Sequence, residues 1–548
     1  MPGPRPQIGK LLFESGLVRE NQIEFALTEQ KATGERLGDC LLRIGFVSDS
    51  DLARVIAEQA GRPFVDLMAF TPDMELLKRI PAAVARQQCV LPIMMKDGRL
   101  HIAVHDPYDP LPAETVFRIT GLAPTIHVAG RNILKRLVEQ FYYLLENPPE
   151  RYIEDAIARL RIDQGADIDA NRILDILLAA AVSHRTTDIH LTPSSLSSRI
   201  ILRIDGVLSP AHVFPLALHN RLVSTIKIRS GMDIAEQRRP QDGRMGFEFL
   251  GSVYDIRVST VLTNHGENVV MRILPSRGTD HVTIRDLGFE GSQLDTIRSL
   301  FARPDGMVLI TGPTGSGKTT TLYAALKEQD AIGKNITTVE DPIEYEYSMI
   351  RQTQVNEKAG YTFASAIRTF LRQDPDVILV GEIRDEETAS LAATAALTGH
   401  LVLSTLHTTT AIGAIARLKD LNVSPFILAS TLAGVISQRL IRKLCPFCKK
   451  PYSPSREILE RYGLSPDGNY FKAGGCPECQ GKGYLGRSAI CEVFKVSKEV
   501  ARLIADDVPL WHIEDRLRAE GFTDLTASGL RMVARGETSI EEFMRVVG

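Results

Sequence analysis

The sequence predicts an α/β protein organised around a parallel sheet with helices on both faces, preceded by smaller α+β and helical domains. Three observations carry this. "VLITGPTGSGKTTTL" (308–322) is an apolar strand that runs through a glycine-rich loop into a helix. "NITTVEDPIEYEY", "PDVILVGEIRD" and "TGHLVLSTLHT" follow as Val-, Ile- and Leu-rich strands separated by helical stretches, the pattern of a parallel sheet buried on both sides. Upstream, alternating apolar residues punctuated by Asp-Gly turns mark antiparallel hairpins.

At 548 residues and 44% apolar side chains, the chain has room for three or four domains with cores of their own. A formal net charge of -3 gives no global basic field, so no nucleic-acid partner is expected. No apolar run approaches the ~20 residues of a membrane helix, and "MPGPRPQIGKLLFESG" lacks an apolar signal core. A cytoplasmic location is therefore expected, with any attachment to the inner membrane made through partners.

The first domain is expected over 1–145. "QIGKLLFESGLVRENQIEFALTEQ" (7–30) aligns without gaps with "RLGDCLLRIGFVSDSDLARVIAEQ" (36–59), pairing Gly9 with Gly38 and Gly16 with Gly45. Each unit reads as a short helix ended by glycine and followed by a second amphipathic helix. An α+β subdomain follows over 60–145, with Lys96-Asp97-Gly98-Arg99 as a hairpin turn. Residues 146–171 are charged and proline-containing, and read as a linker with one exposed helix.

A middle domain is expected over 172–290. It opens on the helix "ILDILLAAAV" and continues through "DIHLTP", a hairpin at Asp205-Gly206, and a second hairpin in "GRMGFEFLGSVYDIRVSTV". Arg203, Arg244, Arg257 and Arg272 recur in this otherwise apolar sheet. Taken singly, each reads as a surface residue. A regular supply of arginines near a nucleotide is also what neutralises charge on a transferring phosphoryl group.

The third domain, 291–548, carries the chemistry. Gly312, Pro313, Thr314, Gly315, Ser316, Gly317, Lys318, Thr319 and Thr320 form G-x-x-x-x-G-K-[ST] and its continuation, a loop whose N–H groups wrap the phosphates of ATP. Lys318 is expected on the β- and γ-phosphates, with Thr319 and Glu382 holding Mg²⁺. Glu340 is the candidate for orienting and deprotonating the attacking water, and His407 for sensing the γ-phosphate. Glu340, Glu382 and His407 lie at strand ends, and ligands of such sheets sit at the carboxyl ends of the strands. Cys445, Cys448, Cys476 and Cys479 form C-x2-C-x27-C-x2-C, which fits a structural Zn²⁺ closed by four thiolates. The lone Cys40, Cys89 and Cys491 lie in apolar settings and read as packing residues.

The P-loop, "VEDPIEY", "DPDVILVGEIRDEETA" and "TGHLVLSTLHT", in this order, closely resemble the secretion ATPase superfamily, specifically the type II secretion and type IV pilus assembly motors. "DIHLTP", "DGVL" and "RPQDGR" extend the resemblance through the middle domain. It implies a RecA-like C-terminal domain, a PAS-like middle domain, and a homo-hexameric ring with ATP between the two. It further implies that Arg244, Arg257 and Arg272 neutralise phosphate charge across a subunit boundary. It also implies an inner-membrane platform protein as partner. The tetracysteine element, within 445–479, occurs in the assembly branch and not in the retraction motors. The doubled N-terminal unit resembles a cyclic di-GMP-binding domain, which would place Arg36 and Gly38 on the ligand, with Gln7 where the first unit's arginine is expected. Simple helical docking is the competing reading of that repeat. For the whole chain, the competing readings are a nucleic-acid-translocating RecA-like ATPase and a nucleotide-regulated scaffold with little hydrolysis.

Overall fold

The glycine-rich loop leaves the carboxyl end of a strand in which every residue, Gly306–Thr311, is buried. In this computed structural model, residues 8–68, 70, 73–163, 167–274, 283–289, 291–476, 479 and 481–548 are described. Gln7, singled out in the N-terminal repeat, lies outside them. By contacts, the described residues between 49 and 278 form one compact unit, and those between 7 and 48 and between 279 and 548 form another. The doubled repeat is thus divided: its first three helices belong to the second unit and Asp49–Ala60 to the first.

The second unit contains a seven-stranded sheet in the spatial order Arg351–Gln354, Ile336–Glu340, Val377–Val380, Leu401–Leu406, Gly306–Thr311, Leu432–Leu444, Tyr484–Lys495. The first six run parallel, while Tyr484–Lys495 pairs antiparallel with Leu432–Leu444. Burial on both faces explains the unbroken apolar runs, since alternation is needed only where one face meets water. Ile378, Val380, Val402 and Leu406 pack into one layer of helices, and Val308, Ile310, Leu379 and Leu403 into the other. Helices Lys498–Ala505, Leu510–Ala519, Leu525–Ala534 and Ile540–Val546 complete the C-terminus.

Helices Ile8–Glu14, Glu20–Thr33 and Leu37–Ile44 pack in this same unit. Gly16 and Gly45 adopt φ of 67° and 90°, the left-handed conformation that lets glycine end a helix. Arg19 Nη2 donates to the carbonyl of Glu328 at 2.9 Å, and Asn21 Nδ2 reaches Asp330 at 3.4 Å. These contacts fall at the carboxyl end of the helix that follows the P-loop, where a cation meets the free carbonyls.

In the first unit, Leu91–Lys96, Arg99–Val104 and Pro124–Val128 form a three-stranded sheet covered by Arg131–Glu146. Its hairpin turns at Asp97 and Gly98, both at positive φ. The larger sheet is antiparallel, in the order Val207–Pro215, Ser197–Ile204, Thr186–Pro193, Gly266–Leu274, Ser252–Thr263, Gln241–Phe249. Helices Ala170–Ser183 and Leu216–Arg229 pack on one face, where Ile189, Ile200, Met245, Ile256 and Met271 are buried. The helix read as exposed, Pro149–Ile162, is docked on this core. Ile153, Ala156 and Leu160 recur on one side of it and are buried, a narrow stripe that its charged composition obscures.

Candidate active site

The P-loop is shaped by three glycines in conformations that side chains resist: Gly312 at φ 142°, Gly315 at 77° and Gly317 at 87°. A Cβ on Gly312 would stand 2.5 Å from the Gln438 carbonyl oxygen, so no larger residue fits there. Pro313, Thr314 and Gly315 form the exposed crown, and Lys318, Thr319 and Thr320 open the helix Lys318–Glu328. Lys318 Nζ donates to the carbonyls of Gly312 at 2.9 Å and Pro313 at 3.2 Å. Burial pushes the ammonium's pKa down, against the pull of the nearby Glu382 carboxylate. The Ser316 hydroxyl is buried without a partner. A concave loop with a half-buried ammonium and an unsatisfied hydroxyl fits a polyphosphate.

Glu382 follows by two residues the strand Val377–Val380, which Leu401–Leu406 separates from the P-loop strand. Arg384 Nη2 donates to its Oε1 at 2.5 Å, and His407 Nε2 lies 3.4 Å from Oε2. Burial raises the Glu382 carboxyl, but hydrogen bonding and charge from Arg384, with His407, outweigh it and hold the pKa below the usual value. The site therefore keeps an ionised carboxylate beside the Lys318 ammonium, as a Mg²⁺ ligand requires. His407 is exposed. His400, at the other end of Leu401–Leu406 from His407, is held by the Ala395 carbonyl at 2.9 Å and serves the turn.

Glu340 is buried at the end of Ile336–Glu340, and both of its oxygens are engaged. Oε1 accepts from Thr338 Oγ1 at 2.6 Å and Gln352 Nε2 at 3.1 Å, and Oε2 accepts from the Tyr323 hydroxyl. Tyr323 stands on the P-loop helix, so Glu340 is tied to the same element as Lys318. Desolvation raises the Glu340 pKa, with the three hydrogen bonds opposing it.

The sheet thus brings Lys318, Glu340, Glu382 and His407 to the ends of four adjacent strands, and residues 164–545 match the type II/IV secretion system protein family. The chain belongs to that family. A separate MshEN domain match covers 60–147. The chain is 36% identical over 558 residues to the type IV pilus assembly ATPase PilB of Myxococcus xanthus, covering 98% of each. It is 38% identical over 562 residues to the type II secretion system protein E of Xanthomonas campestris pv. campestris, again 98% of each. Against the PilB of Thermus thermophilus it is 38% identical over 94% of this chain and 59% of that one. The ATPase DotB of Legionella pneumophila shares the fold, with a TM-score of 0.52, 22% identity, and coverage of 68% of this chain and 95% of that one. The chain is a P-loop ATPase of this family.

In the family's middle region, the register aligns the arginines noted in the sequence. Arg244 pairs with Arg257, Arg257 with Arg272, and Arg272 with Asp188, which pairs in turn with Arg203. All face away from the core. Arg272 Nε donates to Asp188 Oδ1 at 2.8 Å, and Arg203 Nε lies 3.7 Å from Oδ2, so buried Asp188 neutralises one end. Arg244, Arg257 and Arg272 line an open cleft of about 460 Å³. The Nε of Arg257 is buried there without a partner.

The four paired cysteines converge, with all sulfurs within 4.8 Å of one another. Cys445–Cys476 and Cys448–Cys479 separations are 3.7 Å. Tetrahedral Zn–S bonds of ~2.3 Å require sulfurs ~3.8 Å apart, so the group fits zinc. The amides of Gly475 and Gly483 donate to the sulfurs of Cys448 and Cys479 at 3.1 Å, bonds that stabilise thiolate charge and orient the sulfurs. A Cβ on Gly474 would collide with the Cys448 carbonyl at 2.0 Å, which explains the glycine beside the knuckle.

Arg36 caps the helix Leu37–Ile44 and is exposed, with Gly38 in its first turn. The adjacent open cleft is lined by Ile8, Phe13, Ile23 and Leu27, with Lys10, Glu20 and Glu24. Sequence reasoning missed Tyr323, Gln352, Arg384 and Gln438. Arg384 follows Glu382 closely and was legible as a neighbouring charge. The other three reach the site only through the fold.

Proposed function

We propose that this chain is the motor that couples ATP hydrolysis to assembly of pilin or pseudopilin fibres, acting as a ring of six on an inner-membrane platform protein. The observation that carries the reading is the shared strand-end placement of the P-loop, Glu340, Glu382 and His407. The names of the full-length relatives, one for pilus assembly and one for type II secretion, supply its direction. No helix among the described residues is long and apolar enough to cross a membrane, which supports attachment through a partner.

In this reading the P-loop amides and Lys318 hold the β- and γ-phosphates. Thr319 and Glu382 would hold Mg²⁺, which would supply charge neutralisation at the phosphates. Glu340 accepts the proton of the attacking water once nucleotide draws its carboxylate from the Tyr323–Thr338–Gln352 cage. His407 reads the γ-phosphate through Glu382. Arg244, Arg257 and Arg272 act on the phosphates bound by another copy of the chain, a role supported by their alignment on one face of the sheet, where Asp188 is the carboxylate paired with Arg272. Zn²⁺ on Cys445, Cys448, Cys476 and Cys479 is structural, since four protein ligands leave no open position. Arg36 and Gly38 bind cyclic di-GMP, supported by the repeat and opposed by Glu20 and Glu24 beside the cleft.

Deleting the gene tests the assignment: fibre assembly or fibre-dependent secretion should be lost and restored by the wild-type gene. A deletion strain that keeps both overturns it.

A further inference from the structure

Gln438 touches the P-loop from beneath. It stands on the strand Leu432–Leu444, 122 residues after Ser316, and is 1% exposed. Its Nε2 donates to the Ser316 carbonyl at 2.8 Å, and its Oε1 accepts from Thr321 Oγ1 at 2.8 Å. Its main-chain carbonyl and Nε2 are also the atoms nearest to where Cβ atoms on Gly312 and Gly317 would fall, at 2.5 and 3.2 Å. One residue therefore meets the space both glycines leave, and its side chain holds the loop before Lys318 and the first turn of the helix after it.

Packing alone does not account for an amide here. Ile436, two residues earlier on the same strand, is fully buried. An aliphatic residue would fill the position without the cost of burying a polar group. The amide is worth that cost only if its two bonds are, because losing either leaves a buried donor or acceptor unpaired.

We propose that Gln438 is a positioning residue for nucleotide binding: it fixes the Ser316 carbonyl and the Thr321 turn so that the P-loop amides stay aimed at the phosphates. The inference rests on the ATPase assignment. It separates loop geometry from the phosphate contacts themselves, which Gln438 does not make.

The test measures Mg–ADP affinity and thermal midpoint on the full chain. Gln438→Met keeps the volume and removes both bonds; affinity should fall about tenfold or more, and the apo midpoint should fall only as far as the unpaired Ser316 carbonyl dictates. Thr321→Val removes the bond to Gln438 and a longer one, 3.3 Å, to the Gly317 carbonyl; it should weaken binding less than Gln438→Met, and its effect in the Gln438→Met background should be smaller than on its own. Gln438→Glu supplies a readout that a purely structural role would not move. Its neutral acid donates and accepts as the amide does, whereas its anion repels the Ser316 carbonyl. Affinity should therefore recover as pH falls from about 8.5 to about 6, in a range set by burial, with no parallel change in wild type. Affinities of Gln438→Met and Thr321→Val within twofold of wild type, or a Gln438→Glu profile parallel to wild type, overturn the proposal. Should Gln438→Met fail to fold, Thr321→Val and the Gln438→Glu profile decide. Wild-type protein that does not bind Mg–ADP overturns the ATPase assignment instead.

Discussion

Glu340→Gln separates chemistry from folding, because the structure fixes what the change does to each hydrogen bond. The amide oxygen can replace Oε1 and still accept from Thr338 and Gln352. The amide nitrogen replaces Oε2 and meets the Tyr323 oxygen, which already accepts from the backbone N–H groups of Glu344 and Tyr345 at 3.2 and 3.3 Å. One charge-assisted bond is lost, about 1.5–3 kcal/mol, while the cost of burying an anion is removed with it. The two oppose, so the thermal midpoint should move little. Turnover should not be spared. Losing a general base costs ~10²–10⁴-fold, or roughly 2.7–5.4 kcal/mol in barrier. The assay is phosphate release under saturating Mg–ATP, alongside nucleotide affinity and the midpoint. Turnover within a few-fold of wild type, with affinity and midpoint retained, refutes Glu340 as the base.

The acid limb of the pH–rate profile should lie above an ordinary glutamate's, because burial raises the Glu340 pKa and only the anion takes a proton. Tyr323→Phe removes a bond to the anion, so that limb should move to still higher pH; an unchanged limb separates Glu340 from the titration. Purified protein should carry one Zn²⁺ per chain by elemental analysis, and Cys445→Ser or Cys476→Ser should lose it while Mg–ADP still binds. Metal-free protein with four titratable thiols contradicts that. Calorimetry of the full chain should show cyclic di-GMP binding that Arg36→Ala abolishes; silence at high micromolar ligand leaves the N-terminal helices as a docking surface.

The parts of the site contained in one stretch of chain were legible. The P-loop needs only a strand, a glycine-rich turn and a helix in succession, and 308–322 supplies all three. The cysteine knuckles and the Asp97-Gly98 and Asp205-Gly206 hairpins are equally local. Glu340 could be placed at a strand end, but its cage could not, since Tyr323 comes from the preceding helix and Gln352 from the strand laid beside it. The arginines were visible one by one, whereas their alignment depends on register, which the hairpin turns alone do not fix across five strands. The antiparallel edge strand Tyr484–Lys495 and the docked helix Pro149–Ile162 were hidden for a related reason. The strand is held by a partner distant in sequence, and the helix by a narrow apolar stripe that its charged composition obscures. Gln438 is the extreme case, a buried amide whose purpose appears only when Ser316 and Thr321 are laid against it.

Replacing the chromosomal gene with Lys318→Ala tests the central claim most directly, because it removes the phosphate contact and leaves the remaining surfaces in place. Fibre assembly, or secretion that depends on it, should be lost while the protein accumulates to its normal level. Fibres or secretion at wild-type levels from the Lys318→Ala strain would contradict an ATP-driven assembly motor.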